Sequence, residues 1–171
     1  MTGADTPAGV GRFLAGVGAL VLDPDSNCYL VLRRSEDKDF AAGAWECVTG
    51  RLDQGEGFED ALHREVNEEL GVDAEILFVV GTTHFHRGDQ RPENELVGVV
   101  YCVTISDREA VRLSGEHSEF RWLAAGQAAG LISGSHPSER WLLRLIERAE
   151  RMRALLPSQL QAPGRTFELD S

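Results

Sequence analysis

The chain is poor in lysine, in cysteine and in long apolar runs, and each shortage excludes something. Lys38 is the only lysine in 171 residues, so the rest of the positive charge is arginine. A P-loop nucleotide enzyme needs G-x-x-x-x-G-K-[ST], and Lys38 is preceded by Asp37, so that class is excluded. Cys28, Cys47 and Cys102 are scattered with no C-x-x-C pair. Cys28 and Cys102 fall in apolar, strand-like runs, where buried reduced thiols are expected, as in a reducing cytoplasm. No stretch reaches the 18 or so apolar residues of a membrane span. Met1 to Val10 has no charged start followed by an apolar run, so no signal peptide is expected there. Basic surface is short too: 28 acidic residues against 17 basic ones leave a net charge of −11. A sequence-independent binder of nucleic-acid polymers needs the opposite balance. A nucleotide remains admissible, because metal ions can bridge acidic protein to anionic phosphate.

The rest of the composition is ordinary, with 42% apolar and 26% charged residues. That suits one globular domain with its own core. The expected division is a flexible leader over 1–13, a domain over 14–156 and a C-terminal tail over 157–171, with no repeats.

Gly16 to Leu22 is a short apolar run stopped by Asp23-Pro24-Asp25-Ser26-Asn27, which predicts a strand, a turn and a returning strand from Tyr29 to Leu32. The acidic turn is not an EF-hand loop, since Cys28 and Arg34 stand where that loop needs glycine and glutamate. Ala74 to His86 and Glu95 to Ile105 predict an antiparallel pair, the first bent at Gly81. Ala124 to Leu131 predicts a short helix. Ser138 to Leu155 places Trp141, Leu142, Leu145, Ile146, Ala149 and Met152 on one face of a longer one, with Pro157 stopping it.

The chemistry is concentrated in Gly50 to Val72, G-R-L-D-Q-G-E-G-F-E-D-A-L-H-R-E-V-N-E-E-L-G-V. A glycine-bearing loop from Gly50 to Gly57 runs into a helix ending near Leu70. Phe58, Leu62, Val66 and Leu70 recur every four residues along its core side, and Gly71 supplies the left-handed stop. Glu65, Glu68 and Glu69 lie three and four apart, so their carboxylates are neighbours. An acidic helix face can simply be solvated. These acids instead flank the apolar stripe, where burial sharpens their repulsion. A hard divalent cation relieves it.

These residues resemble the Nudix (MutT-like) hydrolases, whose signature is G-x5-E-x7-R-E-U-x-E-E-x-G-U with U an apolar aliphatic residue. Gly50, Glu56, Arg64, Glu65, Val66, Glu68, Glu69, Gly71 and Val72 fill every fixed position. The resemblance implies an α+β Nudix fold, an α/β/α sandwich around a mixed β-sheet. It implies Mg²⁺ as cofactor, with Mn²⁺ as substitute, held by Glu65, Glu68, Glu69 and Glu116. The backbone near Thr49 and Gly50 is a further candidate ligand. Glu68, Glu69, Glu116 and Arg64 are the implied catalytic set, with Gly50, Glu56 and Gly71 shaping the motif. Glu116 is chosen because Glu116-His117-Ser118-Glu119-Phe120-Arg121-Trp122-Leu123 resembles the family segment that carries an acid before an aromatic-Arg-Trp strand; Glu119 and Glu95 are its alternates. Arg33, Arg34, Arg87 and Arg91 are candidate substrate-phosphate ligands. His84 and His86 share a strand face, and a His-bound metal there is the weaker alternative. Many members place Pro-Gly before the first motif glycine. Val48-Thr49 stands here instead, as in subgroups that include the dihydroneopterin triphosphate pyrophosphatases.

The implied activity is hydrolysis of a phosphoanhydride in a nucleoside diphosphate linked to another moiety, with a nucleoside-triphosphate-type pyrophosphatase favoured. ADP-ribose, nucleotide sugars and dinucleoside polyphosphates are the alternative substrates, and a Nudix-fold ligand sensor is the non-enzymatic alternative. The expected partner is a nucleotide-like small molecule, with no nucleic-acid polymer and no membrane; a homodimer is left open.

Overall fold

The computed structural model describes residues 11–38 and 40–169, so most of the expected leader lies outside the described residues. Its central strand is β1 (Leu14–Asp23). Val17, Ala19 and Val21 join the core on one side of the sheet, and Leu20 and Leu22 the core on the other. The two-residue period of extended chain requires that division. With both faces covered, the strand reads as a continuous apolar run.

One edge of β1 pairs in parallel with β6 (Glu95–Ile105), from Leu14 opposite Leu96 to Val21 opposite Val103. The other edge is shared. β4 (Val48–Arg51) pairs antiparallel with residues 16–19, and β2 (Cys28–Arg34) pairs with Leu22 and Asp23 across the expected hairpin turn. β3 (Trp45–Glu46) and β7 (His117–Leu123) flank β2, and β5 (Ala74–His86) lies outside β6. The sheet is therefore mixed, in the order β3-β2-β1-β6-β5, with β4 on β1 and β7 on β2. β5 slips register against β6 between Val79 and Gly81, so the expected bend is a bulge.

α1 (Phe58–Leu70) packs Leu62, Val66 and Leu70 against Ala19, Leu30 and Tyr101 on one face. α2 (Ala125–Leu131) and α3 (Pro137–Leu155) cover the other, where Ala128, Leu142, Ile146 and Ala149 meet Leu20, Tyr29 and Cys102. The result is an α+β sandwich of the expected Nudix type.

One thiol departs from expectation. Cys47 and Cys102 are buried, but Cys28 is only half-buried, because it opens β2 directly after the exposed turn; all three are free. No helix among the described residues is long and apolar enough to cross a membrane. Ser158–Gln161 forms a 3-10 turn, and the Gln161 amide donates to the carbonyls of Arg153 and Leu156 at 3.0 and 2.7 Å. That closes the C-terminal end of α3. The chain then runs back to the start of α1.

Candidate active site

α1 is fixed at both ends by segments distant in sequence. At its start Gly57 has no side chain to cap with. The Glu168 carboxylate accepts the Phe58 and Glu59 N–H groups instead, at 3.3 and 3.1 Å. In return the Glu59 carboxylate accepts the Glu168 N–H at 2.7 Å and the Thr166 hydroxyl at 2.7 Å. At its end Gly71 adopts φ 67°, the left-handed stop read from the sequence. The Arg112 and Ser114 N–H groups then satisfy the Leu70 and Glu69 carbonyls at 2.8 and 3.0 Å. This last pairing brings the segment carrying Glu116 to the acidic end of the helix.

Arg64 ties the loop to the helix. Its Nε and Nη2 grip both oxygens of Glu56 at 2.8 and 2.9 Å, and Nη2 also donates to the Arg51 carbonyl at 2.9 Å. That fork holds the Glu56 carboxyl down to about 2. Nη1 reaches Glu65 at 2.8 Å and Glu68 at 3.3 Å. Glu65 lies directly against Gly50, where a Cβ would stand 1.8 Å from the Glu65 carboxyl carbon. Only glycine leaves that space.

The three acids are not equivalent. Glu68 is mostly exposed, with 59% of its side chain accessible; Glu65 is largely covered. Glu69 is buried, and its Oε2 has no hydrogen-bond partner. Burial first, then the neighbouring acids Glu46, Glu65 and Glu116, push the Glu69 carboxyl up to about 9, against a smaller opposing pull from the Thr49 backbone. Glu65 is raised as well, by burial ahead of its partners.

Among the described residues no three acid, imidazole or thiol groups enclose one ion-sized point. Arg64 holds the Glu65 and Glu68 carboxylates to itself. The donors nevertheless fit a hard divalent cation. They are carboxylate oxygens, one of them is bare and buried, and the charge they would carry is otherwise unfavourable. A cavity of about 600 Å³, lined by Phe13, Arg51, Gln54, Glu56 and Glu65 among others, opens beside them. A comparable hollow of about 660 Å³ between Asp23–Ser26 and Thr104–Arg108 lies at the far end of β1 and holds none of the motif acids.

The remaining candidates separate by position. The Glu116 carboxylate is half-exposed and 3.7 Å from Arg34, and its charge bears on both Glu65 and Glu69. Glu119 is bound to Arg121 at 2.6 Å, and Glu95 to His84 at 2.8 Å. That bond also occupies His84 of the His84/His86 pair. Arg33 donates to the Gly43 carbonyl and to Glu36, and Arg91 sits exposed between Asp89 and Glu93. Arg34 reaches Glu46 at 2.9 Å and approaches Glu116 at 3.7 Å. Burial, then the charges of Arg51 and Arg34, lowers the Arg87 guanidinium from its ordinary value.

Three residues of this region went unread in the sequence. Arg51 lines the cavity. Glu46 and His117 are buried and paired, Nε2 to Oε1, at 2.9 Å, with Arg34 on the same Glu46 oxygen at 2.9 Å. An acid between Trp45 and Cys47 was the available signal for Glu46; His117 had none beyond its place next to Glu116.

The sequence pattern of the NUDIX domain matches residues 12–145. The chain belongs to the Nudix family. This Nudix chain is 31% identical over 100 residues to an octanoyltransferase of Myxococcus xanthus, a match that covers 58% of the chain but only 27% of that protein. It is 30% identical over 118 residues to the dihydroneopterin triphosphate diphosphatase of Escherichia coli K12, covering 63% of the chain and 75% of the relative. The crystal structure of a MutT protein from Methanosarcina mazei Go1 superposes with a TM-score of 0.66 at 24% identity, over 85% of this chain and 99% of that one. That likeness is one of fold.

Proposed function

We propose that this Nudix chain is a Mg²⁺-dependent pyrophosphatase that hydrolyses a phosphoanhydride bond in a nucleoside-triphosphate-type substrate. The observation that carries it is the bare, buried oxygen of Glu69, held among Glu46, Glu65 and Glu116 with its carboxyl raised to about 9. Such a group stays neutral at physiological pH unless a cation is present to stabilise its charge. Glu65 and Glu69 would hold the ion, with Glu68 and Glu116 at its margin. Bound there, Mg²⁺ or Mn²⁺ would offset phosphate charge and acidify a water.

The rest falls to side chains. Glu116 comes from a separate element and is half-exposed, as suits a group that accepts the proton of an attacking water. Arg87 and Arg34, with Arg51 beside them, can meet phosphate oxygens in the two-point fashion of guanidinium. Arg64 fixes the loop against the helix, so the carboxylates keep their places between turnovers. Three free thiols suit a reducing, cytoplasmic setting. The dihydroneopterin triphosphate diphosphatase of E. coli, as a relative, and the Val48-Thr49 variant both favour a triphosphate over a nucleotide sugar.

A substrate panel with Mg²⁺ tests this directly. Release of pyrophosphate from a nucleoside or pterin triphosphate is the expected result. Cleavage confined to ADP-ribose, nucleotide sugars or dinucleoside polyphosphates would move the substrate class. Binding of any of these without turnover would leave a ligand sensor.

A further inference from the structure

Behind the acidic end of α1 lies a buried pair, Glu46 and His117, that the proposed chemistry does not use. His117, on β7, is 1% exposed at its side chain, and its Nε2 meets Glu46 Oε1 of β3 at 2.9 Å. Its Nδ1 faces Glu69 Oε2 at 3.7 Å. Among the described residues these two atoms are the buried side-chain atoms without a hydrogen-bond partner, and they face each other. On the other side, Arg34 joins Glu46 at 2.9 Å and approaches Glu116 at 3.7 Å. Glu116, just before β7, Arg34 of β2, Glu46 of β3, His117 of β7 and Glu69 of α1 thus form one chain of contacts.

An imidazole with one nitrogen left bare inside a core is costly. An apolar side chain of similar size would avoid the penalty if filling space were the task. From this geometry we infer that His117 is a positioning residue for Glu69: Glu46 fixes the ring through Nε2, and Nδ1 sets the direction of the Glu69 carboxylate. The inference rests on Glu69 being a metal ligand, as proposed above. Partners of this kind hold a ligand in one orientation, and their loss typically lowers metal affinity about 10–100-fold.

Two substitutions separate the ring's nitrogens. His117→Gln places an amide near the Nε2 position and keeps the Glu46 bond while abandoning Glu69. His117→Asn places one near Nδ1 and does the reverse. The readout is the affinity for Mn²⁺ alone, by titration without substrate, beside the melting temperature of the metal-free protein. The expected result is a loss of about tenfold or more in His117→Gln, and a value within about threefold of the parent in His117→Asn. Equal affinities in the parent and His117→Gln would overturn the role. So would losses in both variants that simply follow their melting temperatures. If His117→Gln does not fold, His117→Asn decides alone, because a tenfold loss there also overturns it. Glu69→Gln serves as the reference. If it binds Mn²⁺ like the parent, the metal assignment itself fails; if it loses binding while His117→Gln does not, only the positioning role fails.

Discussion

A carboxyl group with one bare oxygen inside a protein is unfavourable, and Glu69 keeps that arrangement beside three further acids, Glu46, Glu65 and Glu116. Glu69→Gln fills the same space without the charge. Its turnover should fall by orders of magnitude, while the metal-free variant melts no lower than the parent at neutral pH. Steady-state kinetics beside thermal denaturation check both halves, and unchanged turnover would remove Glu69 from the metal site. Gly50 is constrained just as tightly. A methyl group there would overlap the Glu65 carboxyl at 1.8 Å, so either Glu65 or β4 must move. Gly50→Ala should cost about 1–3 kcal/mol and weaken Mn²⁺ binding as well. Gly130→Ala, with open space around the added methyl and a helical position, should leave stability unchanged or slightly raised. Differential scanning calorimetry on the two variants distinguishes a local overlap from a general intolerance of alanine.

At the scale of elements, the helix-bearing half of the site is legible because its rules are local. Leu62, Val66 and Leu70 repeat with the helical turn, Gly71 ends the run, and the acids fall beside the stripe by spacing alone. Strands β5 and β6 show by the length of their apolar, β-branched runs. What sequence could not supply is every contact set by strand register or by a returning chain. Glu46 meets His117 across 71 residues because β3 and β7 both flank β2, and no periodicity encodes that. The tail is the clearest case. Glu168 caps α1 from 110 positions away, and Gly57 is a glycine where a Cβ would stand 2.6 Å from the capping oxygen. Glu168→Ala should therefore lose roughly 1 kcal/mol of stability, which for a chain of this size lowers the melting temperature by about 2–4 °C. Glu168→Gln, which keeps an acceptor but not the charge favoured at a helix start, should fall between the two. A melting temperature unchanged in Glu168→Ala would mean that the tail does not hold α1.

For the whole molecule the acids set how stability follows pH. Glu69 takes up its proton more readily folded than unfolded, at about 9 against an ordinary 4.5. Between those values the native state holds more protons than the unfolded one, so unfolding free energy falls as pH rises. Glu69's contribution is complete below about 4.5 and gone by about 9, and the upward displacement of Glu65 acts in the same direction. Glu56 acts oppositely. Arg64 holds its carboxyl at about 2, so its contribution is present above the ordinary 4.5 and is lost as pH falls towards 2. A net charge of −11 adds self-repulsion on the alkaline side. The metal-free protein should therefore be most stable in mildly acidic solution and lose stability steadily from about pH 5 to pH 9. A cation bound by ionised Glu65 and Glu69 should remove their share of that slope, because metal and proton compete for the same oxygens and the bound native state then holds no more protons there than the unfolded chain. Melting curves at pH 5.5, 7 and 8.5, with and without millimolar Mg²⁺, should show stabilisation by the ion that grows with pH and shrinks in Glu69→Gln. Equal stabilisation at all three values would place the ion elsewhere in the molecule.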